Sequence, residues 1–308
     1  MLSSRSTQFI SKHISKHFST YALGTKEREL KRLGIQHDAF KETTSALYDS
    51  INITPGDHVI DLGCGPGFTT IELAKLVGAT GNVYAMDQSL ESLTNLSKNA
   101  ISIGYTATSS CRLEHQLYGD ILLKAGDVTQ KDTWQLFETI KVDKIFCRWL
   151  LCWLKHDEVI RIHNLFSSSI KANANSRVAI MDYYNIGTFA ISSSNETPHW
   201  DYLRDVLLTE WNRVGNPSVC SQVPQLLHAN GFQIQEIKPV SFIIRPQDSM
   251  WIWPTTYFQT QAKRLVENNV IQDINFVQKF ETEWKTISSD PATHYIPPTM
   301  ATIVGEKC

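Results

Sequence analysis

The stretch Val59–Thr70 reads VIDLGCGPGFTT. An apolar run ends in an acid, and three glycines follow at alternate positions, Gly63, Gly65 and Gly67. The apolar run suits a strand buried on both faces. Giving up side chains at alternate positions lets the backbone come close to a ligand. A dinucleotide fingerprint, G-x-G-x-x-G, would need glycine at 68 or 70, where the chain has Phe68 and Thr70. A P-loop would need G-K-[ST], and none follows. A pyrophosphate cradle is therefore the weaker reading.

The flanking sequence supplies the fold. Residues 36–52 read as a helix that runs into the Thr54-Pro55-Gly56 turn. Phe68–Val77 is apolar at helical spacing and stops at Gly78. NVYAMD is a second strand ending in Asp87, and Ser89 is placed to cap a helix over Leu90–Ile103. Residues 104–118 carry no periodicity and read as loop. DILLKAGDV is a third strand with Asp127 at its end, followed by a short helix around Trp134–Ile140. KIFCRWL, an amphipathic helix over 156–170 and RVAIMDYY complete the series. Strand and helix alternate five times, which predicts a doubly wound α/β sheet with parallel strands. Ligands of such sheets bind beyond the carboxyl ends of the strands. Asp61, Asp87, Asp127, Arg148 and Asp182 lie at or near such ends and are expected to share one cleft.

After residue 184 the pattern changes. A loop over 192–197 precedes an aromatic-bearing helix, His199–Val214. PQLLHAN reads as a helix stopped by Gly231, with a strand around Gln233–Ile237. Two helices fit within 248–290, and TMATIVGEK reads as a closing strand. The expected organisation is an N-terminal extension (1–20), a helical cover (21–55), an α/β core (56–185), and lid helices with closing antiparallel strands (186–308).

Composition sets outer bounds. With 308 residues, 42% apolar and 19% charged, the chain can bury a sizeable core. A net charge of −2 provides no basic stripe for nucleic acid or an acidic membrane. No run approaches the ~20 apolar residues of a membrane span. None of the six cysteines forms C-x-x-C, so no metal is expected, and a reduced, cytoplasmic setting is the simple reading. The stretch MLSSRSTQFISKHISKHFST is basic, Ser-rich and acid-free, with Ile10, Ile14 and Phe18 four apart. It has the look of a transit segment, which would make the compartment mitochondrial.

A family becomes visible in the motifs taken together. D-L-G-C-G-P-G at 61–67, an acid ending the next strand and G-D-V at 126–128 closely resemble the class I S-adenosylmethionine-dependent methyltransferases. YALGTKERELKRLGIQHDAF (21–40), CRWLLCWL (147–154), QVPQLLHANGF (222–232) and IVGEK (303–307) resemble segments of a small-molecule subgroup similar to the ubiquinone and menaquinone enzymes. The resemblance implies a Rossmann-like, mostly parallel seven-stranded sheet with a helical lid insertion, and S-adenosylmethionine as cofactor. It places the backbone of Gly63, Cys64, Gly65 and Gly67 against the methionine and ribose of the cofactor. Asp87, with Gln88 beside it, would take the ribose hydroxyls. Asp127 would take the adenine amino group, with Val128 beside the ring. Asp61 would orient the glycine loop or the cofactor ammonium, Arg148 and Trp149 would line the methionine end, and Tyr21 would close over the cofactor. Two segments depart from the subgroup. KANANS (171–176) replaces its Pro-Gly-Gly, and Cys152-Trp153 stand where it often carries histidine, so no general base is assigned there.

Methyl transfer from a sulfonium is an in-line displacement that asks for proximity and alignment rather than a triad. Catalytic residues are accordingly unassigned, with His199 the candidate base. The Asn/Asp-Pro-Pro-aromatic motif of nucleic-acid nitrogen methylation is absent at CRWLL, so nucleic acid is not an expected partner. The segments 185–215 and 240–298 hold His199, Trp200, Tyr202, Trp211, Trp251, Trp253 and Tyr257. An aromatic-rich lid of this kind suits an apolar or aromatic small-molecule acceptor. Two other readings use the same motifs: a cofactor-binding or protein-interaction module without turnover, and an NAD-dependent oxidoreductase, disfavoured by Phe68 and Thr70. The oligomeric state is not legible.

Overall fold

The computed structural model describes residues 27–173 and 175–308. Residues 1–20 and Tyr21, for which a transit segment and a cofactor contact are expected, lie outside them. Two helices, α1 (Glu27–Ala39) and α2 (Lys41–Ser50), precede the sheet. Strand β1 (His58–Leu62), helix α3 (Phe68–Val77), strand β2 (Asn82–Asp87) and helix α4 (Leu90–Ser102) follow. Then come β3 (Thr106–Ser109), β4 (Arg112–Glu114), β5 (Asp120–Ala125), α5 (Leu136–Thr139), β6 (Lys144–Arg148), α6 (His156–Ser169) and β7 (Arg177–Asn185). The remainder is β8 (Ala190–Ser192), α7 (Pro198–Val214), α8 (Val223–Ala229), β9 (Phe232–Val240), α9 (Ile252–Glu267), α10 (Phe276–Ser288), β10 (His294–Ile296) and β11 (Thr299–Lys307).

One sheet runs in the order β3-β4-β5-β2-β1-β6-β7-β11-β9. The stretch from β5 to β7 is parallel throughout, and β11 pairs antiparallel with both β7 and β9. The central strands are buried on both faces: β1 is buried from Val59 to Leu62, and β6 from Lys144 to Cys147. From β1 the chain first travels to β2 and β5, then returns to β6 on the other side. That reversal opens a crevice at the carboxyl ends of β1, β2 and β6.

The sheet has nine strands rather than the expected seven. The two additions are β3 and β4, an antiparallel hairpin on the outer edge of β5, in the segment expected to be loop. All four residues of β3 are exposed and only Leu113 of β4 is buried, so neither strand has the apolar alternation that announces one. A small separate sheet, β8 with β10, was likewise not legible. The expected helix over 36–52 is two helices, because Phe40 interrupts it with φ −108° and ψ 16°. Phe40 is fully buried, and its ring meets Trp149, Phe242 and Trp253 edge-on with centroids 5.0, 5.6 and 4.8 Å away. One aromatic side chain thus ties the N-terminal helices to the strand-end turn after β6 and to α9.

Among the described residues no helix is long and apolar enough to cross a membrane. Phe40→Ala should lower the unfolding free energy by about 3–5 kcal/mol, the usual cost of emptying a buried aromatic site. Denaturant melts would check this, and a loss under ~1 kcal/mol would show that the wedge does not hold the cover.

Candidate active site

The glycine loop is shaped by the strand next to it. The Met86 carbonyl accepts the N–H groups of Gly63 and Cys64 at 2.8 and 3.1 Å. Asp87 accepts the Gly65 N–H at 2.9 Å on one carboxylate oxygen and the Ser89 N–H at 2.8 Å on the other. Ser89 then caps α4 by accepting from the Ser92 N–H at 3.1 Å. Gly63, Gly65 and Gly67 all have positive φ, but their surroundings differ. A Cβ at Gly67 would come within 2.3 Å of Leu96, and one at Gly63 would stand 3.0 Å from Leu150. A Cβ at Gly65 would meet nothing within 4 Å. Gly67 is therefore a packing glycine under α4, whereas the side chain missing at Gly65 leaves open room in the cleft.

That cleft, about 420 Å³, lies at the carboxyl ends of the central strands. It is lined by Asp61, Gly63, Cys64, Gly65, Asp87, Gln88, Asp127, Val128 and Arg148. Nine of the expected cofactor-site residues are thus brought together. Gly67 is not among the lining residues, and neither is Asp182. Asp182 is fully buried and accepts the N–H groups of Tyr183 and Cys152 at 2.8 and 3.1 Å, which fastens the turn after β6 to the end of β7. His199, the candidate base, also lies outside the lining. Its Nδ1 faces Glu283 at 2.7 Å, and the same carboxylate accepts the N–H groups of His199 and Trp200 at the start of α7. His199 belongs to a helix-terminus contact between α7 and α10.

Each acid in the cleft is held differently. Asp61 is buried and accepts the hydroxyls of Thr69 and Thr70 at 2.9 and 2.6 Å. Burial raises its pKa to about 6, and the two hydroxyls only partly offset this. Burial also pushes Asp87 up, opposed by the Ser89 and Gly65 N–H groups. Asp127 accepts the N–H and hydroxyl of Thr129 on one oxygen, at 2.9 and 2.8 Å. The Trp134 indole donates to the Val128 carbonyl at 2.8 Å, which locks that turn. A carboxylate's two oxygens offer about four acceptor sites, so Asp87 and Asp127 retain capacity toward the cleft.

Arg148 is the node of a polar chain that sequence reading missed. It donates to the Thr44 hydroxyl at 2.7 Å and contacts His37 Nδ1 at 3.1 Å. Arginine only donates, so His37 Nδ1 accepts and its Nε2–H donates to Glu72 at 3.2 Å. Tyr48 donates to the other Glu72 oxygen at 3.0 Å. Burial works against the Glu72 charge, but His37, Tyr48 and Arg148 outweigh it and lower the pKa. The next residue, Trp149, adopts φ +53°, a left-handed conformation that side-chain-bearing residues avoid. It is held there by its N–H to the Met181 carbonyl at 2.9 Å and its indole N–H to Met300 Sδ at 3.4 Å.

The far end of the cleft is aromatic: Trp149, Trp153, Tyr183, Trp211 and Tyr257 line it, joined by Leu30, Arg32, Leu33 and Gln36 from α1. Of the aromatic residues expected in the lid, only Trp211 and Tyr257 reach the cleft. Trp200, Trp251 and Trp253 are buried in the core, and Tyr202 is exposed. The contribution of α1 had one sequence signal, the lead-in segment 21–40. Among the described residues no cluster of His, Cys, Asp and Glu could hold a metal.

Two predictions follow from this geometry. Gly67→Ala should cost about 2–4 kcal/mol of stability, combining left-handed strain with overpacking, whereas Gly65→Ala should cost only the strain, about 1–2 kcal/mol. Equal losses in denaturant melts would refute the distinction. Asp61 supplies the second. Its folded pKa, about 6, lies above the ordinary 3.8, so the folded state holds the proton more tightly. The stability this gives is complete below pH 3.8 and is lost as pH rises through about 6. Asp61→Asn removes that dependence and keeps an oxygen for the two threonines. Its stability relative to the unsubstituted protein should therefore rise between pH 4 and 7 by on the order of 3 kcal/mol. A pH-independent difference would overturn the assignment.

Comparison with known proteins identifies the domain that carries the cleft. Residues 53–185 match the family model described as a methyltransferase domain. A "probable cobalt-precorrin-6B C(15)-methyltransferase (decarboxylating)" of Saccharolobus solfataricus is 38% identical over 21% of this chain. The chain spans a third, 33%, of that relative's length. Among solved structures, the YcgJ protein of Bacillus subtilis aligns over 88% of this chain and 98% of its own, at 17% identity and a TM-score of 0.52. A phosphoethanolamine N-methyltransferase of Haemonchus contortus aligns over 94% of this chain and 60% of its own, at 11% identity and a TM-score of 0.50. Residues 53–185 form a methyltransferase domain, and the chain shares the fold of the YcgJ protein.

Proposed function

We propose that this chain moves a methyl group from S-adenosylmethionine to a small-molecule acceptor. One observation carries the reading: a single cleft runs from the glycine loop and three strand-end acids to an aromatic wall. S-adenosylmethionine supplies, when bound, a methyl group on an electron-poor sulfonium sulfur. The residues present fit it. Gly65 leaves room for a close approach, Asp87 and Asp127 offer acceptors on neighbouring strand ends, and Asp61 offers a carboxylate to a cationic group.

The chain's own work is binding, alignment and exclusion of water. Asp87 holds the loop that forms the cofactor wall, and Arg148 fastens the end of β6 to α1 and α2 through His37 and Thr44. Helices α1, α7 and α9 contribute Leu33, Trp211 and Tyr257 to the apolar end. We read residues 21–55 as a helical cover, and residues 186–308 as lid helices with closing antiparallel strands, around the core at 56–185. Apolar walls of this kind keep water from competing with an acceptor. No base is assigned, since one is needed only for an acceptor that arrives protonated.

Calorimetric titration tests the reading. S-adenosylmethionine and S-adenosylhomocysteine should bind and NAD should not. Asp87→Ala should weaken binding at least about tenfold, because it removes charged hydrogen bonds worth ~1.5–3 kcal/mol each and frees the Gly65 N–H. Binding of NAD in place of both sulfur compounds would sink the proposal. Cofactor binding without turnover across an acceptor screen with methyl-labelled cofactor would favour a silent module.

A further inference from the structure

Helix α1 buries three polar residues on one face. Glu29, Arg32 and Gln36 are 2%, 2% and 8% exposed. Arg32 donates to both carboxylate oxygens of Glu29, at 2.8 and 2.7 Å, and to Gln36 Oε1 at 2.5 Å. Because arginine has only donors, the Gln36 atom facing it must be the oxygen. The Gln36 amide NH2 is thereby turned away from Arg32. It has no hydrogen-bond partner among the described residues. Gln36 lines the cleft and its amide nitrogen is not sealed off from it, so the donor is open to a ligand oxygen.

The position of Gln36 says what would meet it. Beside the main cleft lies a smaller apolar extension, walled by Ile186, Phe189, Trp253 and Phe258 among others, with no glycine-loop residue. Gln36, Tyr183, Trp211 and Tyr257 line both spaces, so they form the junction on the side away from the glycine loop. The Tyr183 hydroxyl has no hydrogen-bond partner among the described residues, and the Tyr257 hydroxyl receives only the Trp211 indole N–H at 3.4 Å. Burial raises the pKa of both phenols, so both stay protonated. None of the four junction residues is charged, and the nearby Arg32 is neutralised by Glu29.

We propose that Gln36 determines acceptor specificity, its amide donating to an oxygen of a neutral, flat, ring-bearing acceptor lodged against Tyr183, Trp211 and Tyr257. The inference rests on the methyl-transfer reading. It assigns Gln36 a contact with the acceptor, not with the cofactor.

The test uses the full chain loaded with S-adenosylhomocysteine and three calorimetric probes: 2-naphthol, 2-naphthoate and 2-naphthylmethylammonium. The neutral probe should bind, with the anion and the cation at least about tenfold weaker, since neither charge finds a partner at the junction. Gln36→Glu keeps an oxygen for Arg32 and loses the donor, while Gln36→Leu loses both. Each should weaken 2-naphthol about 3- to 10-fold, the range for one neutral hydrogen bond. S-adenosylhomocysteine affinity should stay within about twofold. Unchanged 2-naphthol affinity in both variants, or an equal loss of cofactor affinity, overturns the assignment. Loaded protein that binds none of the probes, or a charged one best, also overturns it. Failure of the unsubstituted chain to bind S-adenosylhomocysteine would instead overturn the methyl-transfer reading beneath it.

Discussion

The pairing of β1 with β2 is the constraint on which the site depends. Leu62 lies opposite Met86 in that register, and the Met86 carbonyl takes the first two loop N–H groups. Asp87, one residue on, takes the third and also begins the turn into α4. The loop has almost no side chains with which to hold itself, so the neighbouring strand end holds it. Both strands are buried on both faces, so close packing on either side holds them in place. The rigidity of the sheet centre thereby becomes the rigidity of the glycine-loop wall of the cleft.

The opposite wall is built on different terms. Helix α1 reaches the core through polar contacts, His37 to Arg148 and Glu72, as well as through apolar packing. These contacts are directional, so they fix the helix in rotation as well as in distance. Phe40 supplies the non-directional part, wedged among three aromatic rings. Together they bring one face of α1 to the cleft, carrying Leu33 and Gln36.

What could be read from the sequence followed burial and backbone need. The central strands announce themselves because both faces are apolar, and the glycines because positive φ excludes most side chains. Asp61, Asp87 and Asp127 were legible because they end strands whose carboxyl ends must converge. The hairpin of β3 and β4 was not, because it is held by backbone hydrogen bonds and an Arg112–Asp120 pair rather than by a buried face. Gly67 and Gly65 look alike in sequence, and only Leu96 tells them apart. His37, Arg32 and Gln36 were hidden for a further reason. Each acts through a partner, and whether a helical polar residue points at solvent or at a buried arginine is a tertiary fact. The lid aromatics show the converse: most are core, because large rings fill interiors more often than they line ligand sites.

Strand β11 sits between β7 and β9 yet follows both in the chain. On a ribosome, the open edge of β7 would therefore wait while everything from residue 186 to residue 298 is made. Strand β9 pairs in the sheet only with β11, so it has no partner there until β11 is made. The helices of the cover are thus synthesised before the sheet beneath them can close. Sheet completion and cover assembly become a single late event with long sequence separations, the slow kind of folding step. The cover is therefore not a detachable module: evolution could vary its lining freely, but could exchange it only together with the strand that closes the sheet.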